Sequence, residues 1–336
     1  MAPIDRRTLF RTGAVMKLAN VPKFTGILFL SLVSAVLVGV VSPPAGAEAT
    51  RSRSLPSPTY AQATKDPDWI ETPSGLVNKS CVHRVPPGAT VAADGSIIDG
   101  DVVTRVKRCP YAGPVRPANS PKSARPDART PSTGGWWIDS WWHHSWLSGI
   151  SANWSVPSAP TDRVDQTLFF FPSLETETAK SIVQPVLQWG ASAAGGGQYW
   201  SIGSWYVTGN SSYYSTLSRA YSGDSLTGKV ALGTCASDGG NCEGYIHLWD
   251  NTRGYGTSLD VSTPAAWTNA QSGVMENYGV SSCTMLPASG WIQFSSVVVT
   301  NGAYQQVDPS FYLDRASGSC NSRGSLTQTT MNIAWN

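Results

Sequence analysis

The sequence predicts an all-β protein, an antiparallel sandwich of two sheets, over most of its 336 residues. From residue 136 onward, short apolar stretches rich in aromatic and β-branched residues recur at close spacing. Clusters of Gly, Ser, Asn and Asp divide them, at 194–197, 222–224 and 238–240. No stretch keeps a helical apolar period for three turns. Strands with no helix to cover them must bury their apolar faces against one another, which gives two packed sheets.

In chain order, the first segment stands outside the fold. Residues 26–41 are a nearly unbroken apolar run, preceded by Lys17 and Lys23 and followed by Ala45-Gly46-Ala47. A basic start, an apolar stretch short for a membrane span and a small-residue cleavage point make residues 1–47 a secretory signal peptide. Met16 offers an alternative start to the same signal. The protein is therefore expected to be secreted, with no membrane attachment once the signal is cut.

Residues 48–113 read as a pro-segment or small accessory module. The piece from Ser74 to Tyr111 holds Cys81, Cys109 and an Ala93-Asp94-Gly95 turn, the makings of a stapled hairpin. Residues 114–135 form a linker rich in Pro, Ser and Arg. It has almost nothing to bury and should be extended and protease-sensitive, with Arg125 and Arg129 as processing points. Charge supports the division. Residues 48–133 carry 12 Lys+Arg against 8 Asp+Glu, whereas residues 134–336 carry 7 against 13 and hold 13 of the 14 Trp.

Residues 136–336 make the main domain. Strands are read at 149–156, 166–171, 181–189, 198–207, 225–232, 244–249 and 291–300, with another strand-like run around Glu276. Six cysteines in an exported chain indicate disulfides, and nearest-neighbour spacing suggests Cys81–Cys109, Cys235–Cys242 and Cys283–Cys320. No Cys/His cluster has zinc spacing, and no dinucleotide, phosphate-loop, HExxH or GxSxG motif occurs, so no metal or cofactor is expected. The acidic body argues against a nucleic-acid partner. A monomer is expected.

Two segments offer chemistry. Most carboxylates of the domain lie in turns, where solvation explains them. Glu276 instead sits in Val274-Met275-Glu276-Asn277-Tyr278, among apolar and aromatic strand neighbours. Partial desolvation there raises its pKa, which suits a group that trades protons. Gln188 sits in the otherwise apolar Val186-Leu187-Gln188-Trp189-Gly190, where an inward amide needs a partner.

These two segments resemble the Gln and Glu strands of the eqolisin family of glutamic peptidases. Four further pieces fall in the same order. They are Ser151-Ala152-Asn153-Trp154-Ser155-Val156-Pro157, Trp205-Tyr206, Ser222-Gly223-Asp224-Ser225-Leu226 and Trp249-Asp250-Asn251-Thr252. The resemblance spans about residues 146–300. It implies a concanavalin- or lectin-like jelly roll, catalytic Gln188 and Glu276, and an acid-active endopeptidase acting on protein or peptide substrates without metal. Trp154, Glu175, Trp189, Trp205 and Tyr278 are the implied substrate-binding candidates. Two departures stand out. The family's W-x-G-I-D-G segment reads Phe169-Phe170-Phe171-Pro172-Ser173-Leu174-Glu175, with Glu175 the nearest substitute for its Asp. Ser204 replaces a family Glu. The basic leader is further expected to cover the cleft until acid weakens the contact. The competing reading is a carbohydrate-binding or carbohydrate-active sandwich, suggested by the tryptophan-rich run at 136–146.

Overall fold

The computed structural model describes residues 54–117, 134–178, 181–235, 242–263 and 267–336, with the side chains of residues 234 and 235 left out. The expected signal peptide and the processing points Arg125 and Arg129 lie outside the described residues.

The leader opens with a one-turn helix, Tyr60–Ala63. Six short strands follow: β1 Trp69–Thr72, β2 Gly75–Asn78, β3 Val82–Arg84, β4 Thr90–Val91, β5 Ile97–Asp99 and β6 Val102–Thr104. The main domain begins with β7 Gly135–Ser155, β8 Thr167–Thr176, β9 Ser181–Ser192 and β10 Gly195–Thr208. Next come β11 Ser211–Tyr214, β12 Ser218–Arg219, β13 Ser225–Cys235, β14 Cys242–Asp250 and β15 Tyr255–Thr263. The last are β16 Trp267–Tyr278, β17 Trp291–Asn301, β18 Gln306–Val307, β19 Tyr312–Ala316, β20 Arg323–Leu326 and β21 Met331–Ala334.

The expected all-β architecture is present. β7 is long enough to serve two sheets. Its first half pairs with β16 and β19, its second half with β13 and β17, all antiparallel. One sheet therefore runs β19–β7–β16–β8–β9–β10–β11, and the other β18–β17–β7–β13–β14–β15. The sheets meet face to face, where Ser204 Oγ of β10 donates 3.3 Å to the Thr257 carbonyl of β15. Between them lies a core that includes Ile138, Phe170, Leu187, Val230, Ile246 and Met275.

The leader is built into these sheets. β3 adds in parallel to β11, and β4 adds in parallel to β15, continuing through β5 and β6. The 93–95 turn joins β4 to β5, with Asp94 Oδ1 accepting from Ser96 N at 2.9 Å. The Cys81–Cys109 and Cys283–Cys320 disulfides are formed, with Cα–Cα distances of 4.9 and 5.5 Å. The β13–β14 register sets Cys235 opposite Cys242, which is itself disulfide-bonded. The Cys235 side chain lies outside the described residues.

Burial departs from the pattern of a two-layer sandwich. An antiparallel strand with one wet face alternates buried and exposed, as β14 and β17 do. β8 and β16 are buried at every position, and β9 at all but one. The second sheet covers one of their faces, and the leader covers the other. The tryptophan-rich run is the first half of β7, and its five Trp are buried or half-buried.

Gly190, near the end of β9, has φ +88°, and an added Cβ would stand 2.1 Å from the Gln166 carbonyl oxygen. Gly88 has a similar φ of +83° and open space around it. Gly190→Ala should therefore lower stability by about 3 kcal/mol or more, against about 1 kcal/mol for Gly88→Ala, as read by denaturant midpoints. Equal losses would show that φ alone matters at Gly190.

Candidate active site

Register brings the two predicted residues together. Glu276 on β16 lies opposite Phe169 on β8, and Phe169 lies opposite Gln188 on β9. Residues directly opposite point to the same side of a sheet. The three side chains thus form one row across three strands, with Gln188 and Glu276 about 10 Å apart at the usual strand spacing. Phe169, Phe171, Val186, Trp205, Val274 and Tyr278 pack on this face, opposite the face that meets the second sheet.

Glu276 is fully buried. The Tyr278 hydroxyl donates to its Oε1, while Oε2 has no hydrogen-bond partner. Burial pushes its pKa up to about 8, opposed by the Tyr278 hydrogen bond and then by the positive charge of Arg116. Two more buried carboxylates share the face. Asp139 of β7 lies opposite Val274, with neither oxygen hydrogen-bonded. Glu175 of β8 lies opposite Asn269, with Oε1 unpartnered. Burial raises each to about 7. The charge of Arg315 opposes the shift at Asp139, and the charges of Arg116 and then Arg315 oppose it at Glu175.

Gln188 is held by the turn after it. Its Nε2 donates to the carbonyls of Gly190 (2.8 Å) and Gly195 (2.9 Å), and its Oε1 accepts from Ser192 Oγ (2.9 Å). Only glycine fits at 196, where φ is +102° and a Cβ would stand 2.5 Å from Gln188 Nε2. Both amide hydrogens are therefore engaged by main-chain carbonyls, and Gln188 does not touch Glu276.

The tip of the leader's β1–β2 hairpin rests on the same face. The Ala193 N–H donates to the Glu71 carbonyl at 2.9 Å, and Gln184 Nε2 donates to the Pro73 carbonyl. Those two contacts bracket Gln188 along β9. Tyr60 packs among the apolar residues of the face. Its pKa is pushed up to about 12, first by burial and then by the charges of Glu71 and Glu276. Arg116 Nε donates to the Ser74 carbonyl at 2.7 Å, and its guanidinium stands 5.7 Å from the centre of the Trp136 ring.

Of the substrate-binding candidates, Glu175, Trp205 and Tyr278 lie on this face. Trp154 and Trp189 do not. Trp154 belongs to the core between the sheets, 5.3 Å from Phe294, and Trp189 packs on the core side of β9, 5.3 Å from Trp200. Strand alternation accounts for Trp189, because the residue after Gln188 must point the opposite way. Phe169, Asp139, Gln271 and Arg116 were missed. Alternation back from Glu175 through Ser173 and Phe171 reaches Phe169. Asp139 was hidden within the tryptophan-rich run. Among the described residues, no three His, Cys, Asp or Glu side chains gather as a metal site.

No protein-family model matches the chain, and no curated protein matches it. Among solved structures it is similar to scytalido-glutamic peptidase with a peptide-based transition-state analogue. That match has 18% identity and a TM-score of 0.45, and covers 62% of this chain and 100% of that one. It is similar to SCP-B, a member of the eqolisin family of peptidases, in complex with the tripeptide Ala-Ile-His. There the identity is 18% and the TM-score 0.43, with the same coverage of 62% and 100%. Aspergilloglutamic peptidase from Aspergillus niger matches at 17% identity and a TM-score of 0.35, covering 51% of this chain and 99% of that one.

The raised carboxylates set a pH dependence of stability. Unfolded carboxyls titrate near pH 4, whereas Asp139, Glu175 and Glu276 titrate at about 7, 7 and 8 in the fold. The folded chain binds more protons between those limits. Their contribution is thus full below about pH 4 and is lost as pH rises to about 8. His83 and His247, lowered chiefly by burial, act in the opposite sense. The test is therefore a difference: Glu175→Gln should gain stability relative to wild type as pH rises from about 5 to 8. A constant or shrinking difference would contradict a buried, neutral Glu175.

Proposed function

We propose that this chain is a secreted endopeptidase in which Glu276 and Gln188 act on a water, and that its leader is a pro-segment occupying the cleft. The observation that carries this reading is the tip of the leader's β1–β2 hairpin, held through its carbonyls by Ala193 and by the Gln184 side chain on either side of Gln188, one end of the row that Gln188 forms with Phe169 and Glu276. A face that already accepts main-chain carbonyls of another segment beside a buried carboxylate suits a peptide substrate. The competing carbohydrate reading rested on exposed Trp at 136–146, and none of those five is exposed.

The chemistry needs one carboxylate and one neutral donor. Ionised Glu276 takes a proton from a water lying between it and Gln188, and the resulting hydroxide attacks the scissile carbonyl. Gln188 Nε2 donates to the oxyanion, an interaction worth about 3 kcal/mol where such donors have been removed. Protonated Glu276 then passes its proton to the leaving nitrogen. Gln188 must first turn Nε2 away from Gly190 and Gly195, so the hairpin at 192–196 has to shift when substrate replaces leader.

The direction of the pKa shifts bears on activation. Beneath the leader the carboxylates are held protonated, and exposure to water would lower their pKa. Acid therefore favours the covered state, and rising pH favours the open one. This runs against release by acid alone and supports cutting in the 114–135 linker as the activating event. With the leader gone, Glu276 meets water and falls toward the ordinary carboxylate range. The ionised base is then available in mild acid, where protonation of the leaving nitrogen is also easiest.

Cleavage of denatured casein by the secreted protein across roughly pH 2–7 should peak in acid and resist pepstatin and chelators. Glu276→Gln should lose about a thousandfold or more in rate. Cleavage surviving that change would remove Glu276 from the mechanism, and no cleavage after linker cutting would remove the peptidase reading. Tyr278→Phe should move the acid limb of kcat/KM up by about one pH unit, because a hydrogen bond to the charged form of Glu276 is lost. An unmoved limb would mean that Tyr278 does not set the titration of the base.

A further inference from the structure

The cleft face carries more carboxyl groups than its own domain supplies cations to pair with. Asp139, Glu175 and Glu276 are buried on it, and β19 brings Asp314 and Arg315 to the same side. Arg315 stands 5.4 Å from the centre of the Trp136 ring and 3.8 Å from Asp314. His143, the other basic group at this end of β7, is exposed, with Nδ1 2.9 Å from Asn269 Oδ1. The leader supplies the second strong positive charge, Arg116, together with Glu71 and Tyr60. Among the described residues, no carboxylate lies within ion-pair distance of Arg116. It is anchored by a main-chain carbonyl, that of Ser74, and lies over Trp136, which is opposite Glu276 in the β7–β16 register.

Below that position are buried polar atoms without a close hydrogen bond. Glu175 Oε1 faces the Gln271 side chain and Glu276 Oε2 the Trp136 indole, neither at close hydrogen-bond distance, while Gln271 Oε1 is satisfied by Ser173 Oγ at 2.6 Å. Buried carboxylate oxygens left unpaired are costly, and a charged donor is the group that satisfies them best. An aromatic face beside them suits a guanidinium or ammonium. When the leader departs, Arg116 leaves with it, and the face keeps three buried carboxylates against Arg315.

We infer that Glu175, Gln271 and Trp136 form a subsite beside Glu276 that takes a lysine or arginine side chain of the substrate, in the place that Arg116 of the leader now guards. The inference rests on the peptidase reading above and adds a substrate preference to it. The side chain would lay its aliphatic stem along Trp136 and direct its charged head to Glu175.

Digestion of a mixed pool of peptides by the secreted protein, read by mass spectrometry, tests this. A basic residue should be enriched at one fixed position close to the cut bond. Matched peptides carrying Lys or norleucine at that position should differ at least tenfold in kcat/KM in favour of Lys. Glu175→Gln should collapse that ratio toward one, and Glu175→Lys should turn it toward acidic side chains. If the Glu175 variants fail to fold, the wild-type ratio still decides. Cleavage with no basic preference, or a ratio unchanged in Glu175→Gln, would overturn the subsite and leave the peptidase reading standing. No cleavage at any pH after linker cutting would overturn both.

Discussion

Three neighbouring strands, β16, β8 and β9, are buried on both faces, and a carboxylate on such a strand has no water in which to stay charged. That constraint governs the rest of the molecule. It explains why Glu276 and Glu175, and Asp139 on the adjoining β7, are pushed toward neutrality. It explains why each nearby donor matters: the Tyr278 hydroxyl on Glu276, and the charges of Arg116 and Arg315 at the rim. It also makes the leader part of the site. Without residues 60–76 and 115–116 laid across it, this would be an open sheet face lined with aromatic rings and unpaired acids.

The two halves of the site are restrained in different ways. Glu276 is fixed from its own strand, two residues away, by Tyr278. Gln188 is fixed by a glycine-rich hairpin whose carbonyls take both of its amide hydrogens. The first restraint survives removal of the leader. The second is tied to it, because Ala193 in the same hairpin bonds to Glu71. Loss of that contact frees the hairpin, and with it the Gln188 amide. Covering and amide locking are thus mechanically connected.

Much of this was legible in the sequence, because strand chemistry is local. Aromatic and β-branched runs between Gly, Ser and Asp clusters placed β8, β9, β10, β13, β14 and β17 within a few residues of their observed positions. An amide and a carboxylate in apolar strands marked Gln188 and Glu276. Depth was not legible. Trp189 stands beside Gln188 in one motif and Trp154 in another, yet both face the core, and only strict alternation from a known inward residue separates such positions. The first half of β7 was read as an aromatic block because adjacent tryptophans, Trp136-Trp137 and Trp141-Trp142, hide the period of two. Arg116 lay in what composition marks as linker. Its role comes from the Leu76–Val115 bridge, a long-range pairing that no local pattern encodes.

The most direct test of the account is a crystal structure of the Glu276→Gln protein, freed of its leader by linker cutting and bound to an uncleaved peptide. The account requires the peptide backbone to lie across Gln188, Phe169 and position 276, displacing the tip of the β1–β2 hairpin from beside Gln188. Its scissile carbonyl should accept from a Gln188 amide released from Gly195. A peptide bound elsewhere, or a Gln188 still locked to its hairpin beneath a bound substrate, would contradict it.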